Sequence, residues 1–272
     1  MKNKLLLLTI LLLVFSGCYT YNIPSGATTP LITEQGENKV SVNANFNEAG
    51  GTFAYGLTNH VLFTASGNYI FTRNDYKQDY DSLFYKKNPN NFEVAFGYYG
   101  GMKKFANNIL FGIGTGNNVY NSGRLRNNYL SGYFQTEFIQ YFLQYNAGFK
   151  YQKKKRNRTK YNEQGISLRY AYHNYHLIGI SEEYKYEEIW NEETGYYDYR
   201  DYTVISKEEK NDYFNSFSVY YFLRTGTDKI QFEVSPGFSL YDRKPKYENY
   251  SLLTSGIHFN VGLIFNLNNL LK

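Results

Sequence analysis

The sequence predicts an all-β chain, a transmembrane antiparallel up-and-down β-barrel of about ten strands, within a range of about eight to twelve. Three observations predict it. From Asn38 onward apolar and polar residues alternate with the period-2 spacing of strands that have one apolar face. The polar face is rich in small residues, as in Gly112, Gly114 and Gly116 or Ser235, Gly237 and Ser239, which suit a crowded lumen and have no evident use on a solvated face. Connections between strands alternate between short and long, as in membrane barrels. Composition narrows the field further. A chain of 272 residues that is 42% hydrophobic and 19% charged is not disordered. Past the leader no window approaches the roughly 18 to 20 consecutive apolar residues of a spanning helix. A single Cys excludes a disulfide framework and a Cys-based metal cluster. A soluble sandwich or barrel with the apolar face inside is the competing class.

The elements follow in order. Residues 1–17 read as a secretory leader, with Lys2 and Lys4 before an apolar run from Leu5 to Phe15. Phe15-Ser16-Gly17-Cys18 resembles the bacterial lipoprotein box, which implies cleavage before Cys18 and acylation, palmitate included, of that residue. The alternative is an ordinary secreted protein cut nearby. Removing residues 1–17 takes away two lysines and no acid, so the formal charge falls from +5 to +3, too little to argue for a nucleic-acid partner. Residues 18–37, with Pro24 and Pro30, read as an extended linker. The barrel follows over 38–266, with strands expected at 40–46, 52–57, 61–71, 92–99, 109–116, 138–151, 165–175, 213–224, 229–241 and 256–265; residues 267–272 form a tail. In the sixth strand Ile139, Tyr141, Leu143, Tyr145, Ala147 and Phe149 alternate with Gln140, Phe142, Gln144, Asn146, Gly148 and Lys150. Gly50-Gly51 is expected to close the first hairpin. Short turns are expected at 58–60, 103–107, 153–158 and 225–228, and long loops at 72–91, 117–136, 178–209 and 242–250. Ten strands return the C-terminus to the side of the N-terminus, so a lipid on Cys18 in the periplasmic leaflet places the short turns in the periplasm and the long loops outside.

The 31 Tyr then have a place, because Tyr suits the headgroup level of a bilayer. Tyr69, Phe71, Tyr98, Tyr141, Tyr151, Tyr170, Tyr172, Tyr213 and Tyr221 are girdle candidates. Four stretches carry a family likeness: Cys18; Pro30-Leu31-Ile32 with Gly36-Glu37; Ala54-Tyr55-Gly56-Leu57-Thr58-Asn59-His60; and Gln144-Tyr145-Asn146-Ala147-Gly148-Phe149. With them the chain resembles the lipid-anchored outer-membrane β-barrel proteins of Bacteroidota. The resemblance implies an outer-membrane location, with membrane lipid and lipopolysaccharide as surroundings, and brings no catalytic motif. Phe265 is followed by residues 266–272, where many such barrels end on an aromatic residue.

Six polar residues fall on expected inward faces: Glu93, Lys150, Arg169, His173, Glu233 and His258. Charges in a narrow lumen are costly unless paired, so Glu93 and Glu233 are expected to meet Arg169 and Lys150 in a network that plugs the barrel; a proton or ion path, or an acid/base pair, is the functional alternative. His173 and His176 echo the outer rim of the omptin-like proteases, without an omptin motif. Gly112, Gly114 and Gly116 lack dinucleotide spacing, and Gly179-Ile180-Ser181 lacks the closing Gly of a nucleophile elbow. The four His lack ligand spacing. The expectation is therefore no catalytic residue, no metal and no cofactor beyond a covalent lipid on Cys18. The basic turn Lys153-Lys154-Lys155-Arg156-Asn157-Arg158 reads as solvated or as lying against phospholipid headgroups. The most specific loop spans 181–212, where eleven Asp and Glu interleave with six Tyr. Glu192-Glu193-Thr194-Gly195 looks like a hairpin turn, so the seventh and eighth strands continue as a ribbon with Trp190 near its tip. Tyr186, Trp190, Tyr197 and Tyr199 are its binding candidates, for a cationic or carbohydrate extracellular partner; a merely solvated loop is the alternative. Two further functions stay open, a small pore or transport-related barrel and a soluble lipid-anchored periplasmic barrel for a small apolar ligand.

Overall fold

The computed structural model describes residues 31–44, 48–70, 90–102, 104–122, 130–155, 158–242, 246–247, 250–251 and 257–270. Strands take up most of them: β1 (Asn38–Ala44), β2 (Glu48–Gly56), β3 (Val61–Ile70), β4 (Asn90–Met102), β5 (Phe105–Ser122), β6 (Leu130–Lys155), β7 (Arg158–Asn191), β8 (Tyr196–Gly226) and β9 (Ile230–Tyr241). A two-stranded hairpin of β10 (Lys246–Tyr247) and β11 (Tyr250–Ser251) precedes β12 (Ile257–Asn266) and a helical turn, α1 (Leu267–Leu270). Strands β1–β9 and β12 form one closed antiparallel barrel of ten strands, with β12 completing the ring between β9 and β1.

The alternating sequence sorts its side chains in the inverted sense. On β6, Ile139, Tyr141, Leu143, Tyr145 and Phe149 are exposed on the outer surface, while Gln140, Phe142, Gln144, Asn146 and Gly148 between them are buried. Phe111 and Leu240 stand 66% and 60% exposed, whereas Arg169 and Glu93 are 2% and 5% exposed. A continuous apolar belt around a polar interior is the arrangement of a transmembrane barrel and the reverse of a water-soluble one. The small inward residues are required by space. A Cβ on Gly112 would lie 2.3 Å from Phe142 Cζ, and one on Gly237 would lie 2.3 Å from Tyr220 Cδ1.

The strand ends at Gly56 and Val61, Met102 and Phe105, Lys155 and Arg158, and Gly226 and Ile230 are on the side of Asn38 and Asn266, and those at Ala44 and Glu48, Ile70 and Asn90, Ser122 and Leu130, Asn191 and Tyr196, and Tyr241 and Ile257 are on the other side. Tyr69, Tyr98, Tyr141, Tyr151, Tyr170, Tyr172, Tyr213 and Tyr221 all stand on the outer surface; Phe71 lies outside the described residues. Three expectations need correction. Gly50 and Gly51 do not close the first hairpin; they pair within the sheet with Asn43 and Val42, and the pairing of β1 with β2 runs on to Ala44↔Ala49. Strands β7 and β8 have 34 and 31 residues, so the segment 178–209 is the paired ribbon expected around the turn at 192–195 and not the open loop, because each strand supplies the other with backbone partners beyond the barrel. Finally, the linker does not stay extended up to residue 37: Leu31 and Ile32 are wholly buried inside the barrel.

Candidate functional site: a filled lumen and an external ribbon

Three layers of described side chains project into the lumen. The first lies at the short-turn end and is built around the chain's own N-terminal segment. Gly36, with φ 76°, adopts the left-handed conformation that turns the backbone into the barrel mouth. Its N–H donates to the Gly56 carbonyl at 2.8 Å, and the Gly56 N–H donates to the Glu37 carbonyl at 2.9 Å. Leu31 then clusters with Ala106 and Phe222, and Ile32 with Leu62, Tyr99 and Leu110. Lys39 Nζ and Lys150 Nζ both donate to the Leu31 carbonyl, at 2.8 and 3.0 Å. Glu37 accepts from the Thr33 N–H at 2.6 Å and pairs with Lys39 at 3.0 Å. Glu163 pairs with Arg224 at 2.9 Å and with Lys150 at 3.9 Å, and Arg224 Nε donates to Glu233 at 2.6 Å. The layer is charge-balanced, with Glu37, Glu163 and Glu233 against Lys39, Lys150 and Arg224. Burial pushes the Glu37 carboxyl up, but the lysine charges and the Thr33 hydrogen bond outweigh it and hold the group below the ordinary carboxylate value.

The second layer is a fork. Arg169 donates through Nη1 and Nη2 to the two Glu93 oxygens, at 3.0 and 2.9 Å, and its guanidinium lies 3.8 Å above the Phe142 ring centre. Gln140 Nε2 also donates to Glu93. Gly114 makes room for this arrangement, since a Cβ there would sit 2.7 Å from Gln140 Nε2. The third layer, toward the long-loop end, is aromatic. Phe138, Tyr175 and Phe214 are buried together with Tyr241 packed against them. The His173 ring stacks on Phe214 at 4.6 Å, and its Nε2 lies 2.8 Å from Ser216 Oγ.

Of the expected inward residues, Glu93, Lys150, Arg169, His173 and Glu233 do line the interior, and Glu93 meets Arg169 as anticipated. Glu233 meets Arg224 and not Lys150. His258 pairs in register with Gly237 on β9; its side chain lies outside the described residues. Sequence reasoning left out Glu37, Lys39, Glu163, Arg224, Leu31 and Ile32. Parity would have found Arg224, which follows Ser218, Tyr220 and Phe222 on the inward side of β8; Glu163 and Lys39 sit just before the stretches read as strands. The two histidines of the omptin echo do not converge. His173 faces the lumen, while His176 stands on the opposite face of β7, beside Asn211 at 2.8 Å and Glu209 at 3.8 Å.

The external ribbon begins where β6 stops pairing with β7, at Leu130↔Glu183. From there to Asn191↔Tyr196, β7 pairs only with β8 among the described residues. That gives a projection of about 27 Å at roughly 3.4 Å per residue. The turn at 192–195 is built locally. The Asn191 side-chain oxygen accepts from the Glu193 and Thr194 N–H groups, and Gly195, at φ 67°, closes it. Trp190 and Tyr197 face each other across the register with ring centres 5.0 Å apart and stay 51% and 55% exposed. Tyr196 is 76% exposed, and Glu187, Glu188, Glu192 and Glu193 are exposed around them. The side chains of Tyr186 and Tyr199 lie outside the described residues, as does Cys18.

Among the described residues, no group of three or more His, Cys, Asp or Glu is placed to hold a metal ion. No protein-family model and no curated protein sequence matches the chain. Ten solved chains match it. One is OmpT (in-vitro folded), an outer membrane protein of Vibrio cholerae, at 8% identity and a TM-score of 0.17, covering 84% of this chain and 95% of that one.

Proposed function

We propose that this chain is a lipid-anchored outer-membrane barrel with a sealed lumen, whose working surface is the external ribbon. The observation that carries the reading is the contrast between the two ends of β7. Inside the barrel its charged residues are spent on partners from other strands, as in the Arg169 fork with Glu93 and the Glu163 pairs with Arg224 and Lys150. Beyond the barrel Trp190, Tyr196 and Tyr197 are held out on a paired ribbon among acidic residues. Exposed aromatic side chains in a rigid frame are anchors for a binding partner, and the surrounding carboxylates favour a cationic or carbohydrate one. The leader, Cys18 and the short-turn position of Asn38 support attachment at the periplasmic leaflet, with the ribbon outside against lipopolysaccharide. The reading assigns no catalytic role.

Purified protein in liposomes, probed with arrayed glycans and with cationic peptides, should capture members of one class. Deleting residues 187–202 should abolish that capture while leaving the heat-modifiable gel migration of the barrel intact. Equal capture by the deletion variant would remove the ribbon from the function, and no capture of either class by the intact protein would leave the barrel as a purely structural element.

A further inference from the structure

The hairpin joining β6 to β7 stands past its neighbours on the short-turn side. Strand β5 pairs with β6 only as far as Phe105↔Phe149, and β8 pairs with β7 only from Tyr161↔Gly226. Beyond those points β6 and β7 pair only with each other among the described residues. Their register sets Lys153 opposite Lys160 and Lys155 opposite Arg158. Like charges directly opposite each other weaken a strand pair, and no Asp or Glu lies between Tyr151 and Tyr161 to relieve them. Nor does the lumen beneath supply a counter-charge, since Glu37, Glu163 and Glu233 of its first layer are matched by Lys39, Lys150 and Arg224, and Glu93 deeper in by Arg169. Among the described residues neither Lys153 nor Lys160 pairs with a carboxylate, and both are exposed.

The face on which these charges fall identifies what relieves them. The outer row of β6 runs Leu143, Tyr145, Ala147, Phe149 and Tyr151, and its next positions are 153 and 155. On β7, positions 158 and 160 share that face through the register. The belt that meets acyl chains thus passes through exposed Tyr151, a side chain suited to the headgroup level, directly into four cationic positions. Positions 153 and 155 lie about 7 and 14 Å of strand beyond Tyr151, less along the membrane normal because barrel strands tilt. The headgroup layer on each side of a bilayer is about 5 to 8 Å deep. Lys153 and Lys160 are therefore at phosphate level and on the lipid side, where a polymer in the aqueous compartment would have to reach past the hairpin to meet them.

We infer that positions 153, 155, 158 and 160 form a binding site for the phosphate headgroups of anionic phospholipid in the leaflet at the short-turn end. This rests on the reading of the barrel as embedded in a membrane. The site orders anionic lipid around one sector of the barrel and fixes the depth of that end in the bilayer, through charge attraction that falls off with salt.

The test uses the refolded full chain in phosphatidylcholine bilayers with spin-labelled phosphatidylglycerol or spin-labelled phosphatidylcholine as the probe. Insertion is checked first by flotation and by the gel shift of the folded barrel. Protein-associated phosphatidylglycerol should exceed phosphatidylcholine by at least about threefold at low salt, and the ratio should approach one at about 0.5 M NaCl. In the variant K153S/K155S/R158S/K160S the low-salt preference should be lost, while K103S/K104S should retain most of it. If the fourfold variant does not fold, the salt titration of the wild type decides alone. A barrel that inserts without lipid preference, or whose preference ignores salt or the four substitutions, overturns the site and leaves the barrel reading intact. Salt-sensitive binding to purified peptidoglycan with no lipid preference would give the charges to the cell wall and overturn it equally. A chain that fails to float with lipid would remove both readings.

Discussion

Arg169 has the two Glu93 oxygens and the Phe142 ring around its guanidinium. Its guanidinium is 2% exposed, and Glu93 is its ionic partner. Breaking a buried pair by removing one member leaves a charge without compensation, at a cost of about 3 to 5 kcal/mol, whereas replacing both with apolar residues of similar volume is often nearly neutral. The single changes Glu93→Leu and Arg169→Met should therefore each destabilise the barrel by several kcal/mol on that scale. The double change should be milder than either, which urea unfolding in phospholipid vesicles would measure as a coupling energy of about 3 kcal/mol or more. Additive single effects would mean that the fork is held by its neighbours and not by its charge. The members of this fork were legible in the sequence because both fall within stretches that alternate, Arg169 in 165–175 and Glu93 in 92–99, where parity alone sets the inward face. Glu163 and Lys39 were not, because they lie at strand ends where the apolar pattern has already stopped. Glu233 was placed on the right face and given the wrong partner, since parity names a face while strand order and stagger decide which residues meet across it.

The ten barrel strands were legible as elements because they alternate, and the extra length of β7 and β8 was legible only through its turn. Over 178–209 the outer and inner rows are both polar, so nothing distinguishes a solvated ribbon from a loop except the turn at 192–195. The N-terminal plug is the opposite case. Pro30 and the small polar residues before it read as linker, and only the three-dimensional mouth shows that Leu31 and Ile32 have an apolar seat between Phe222 and Leu62. The plug is held partly by apolar burial and partly by Glu37. Because the folded Glu37 carboxyl titrates below the ordinary 4.5, its contribution is complete above that value and is lost as pH falls through the lower folded value. Pepsin applied to the short-turn face should therefore cut within 31–37 increasingly as the pH drops below 4.5, without loss of the folded gel shift. Glu37→Gln should flatten that dependence, and Ile32→Asp should expose the segment at neutral pH. Cleavage that is equally slow in all three proteins would show that apolar burial and the Lys contacts on the Leu31 carbonyl hold the plug without the carboxylate.

At the scale of the whole molecule the layers act in series. A small polar-lined barrel conducts only if every cross-section along its axis is open, and here three are occupied by buried side chains of different chemistry: the plug with its balanced charges, the Arg169 fork over Phe142, and the aromatic layer around Phe214. Emptying one layer leaves two barriers. The wild-type protein in planar bilayers should therefore be electrically silent, and Glu233→Gln should be silent too, because Glu233 belongs to the first layer alone. Ile32→Asp, Glu93→Ala/Arg169→Ala and Phe214→Ala should each remain silent when made separately. Combined in one chain that still shows the folded gel shift, they should give discrete channel openings. Steady wild-type conductance that changes with Glu233→Gln would instead make the first layer the selective constriction of an open pore, and the ribbon would then be an accessory to transport.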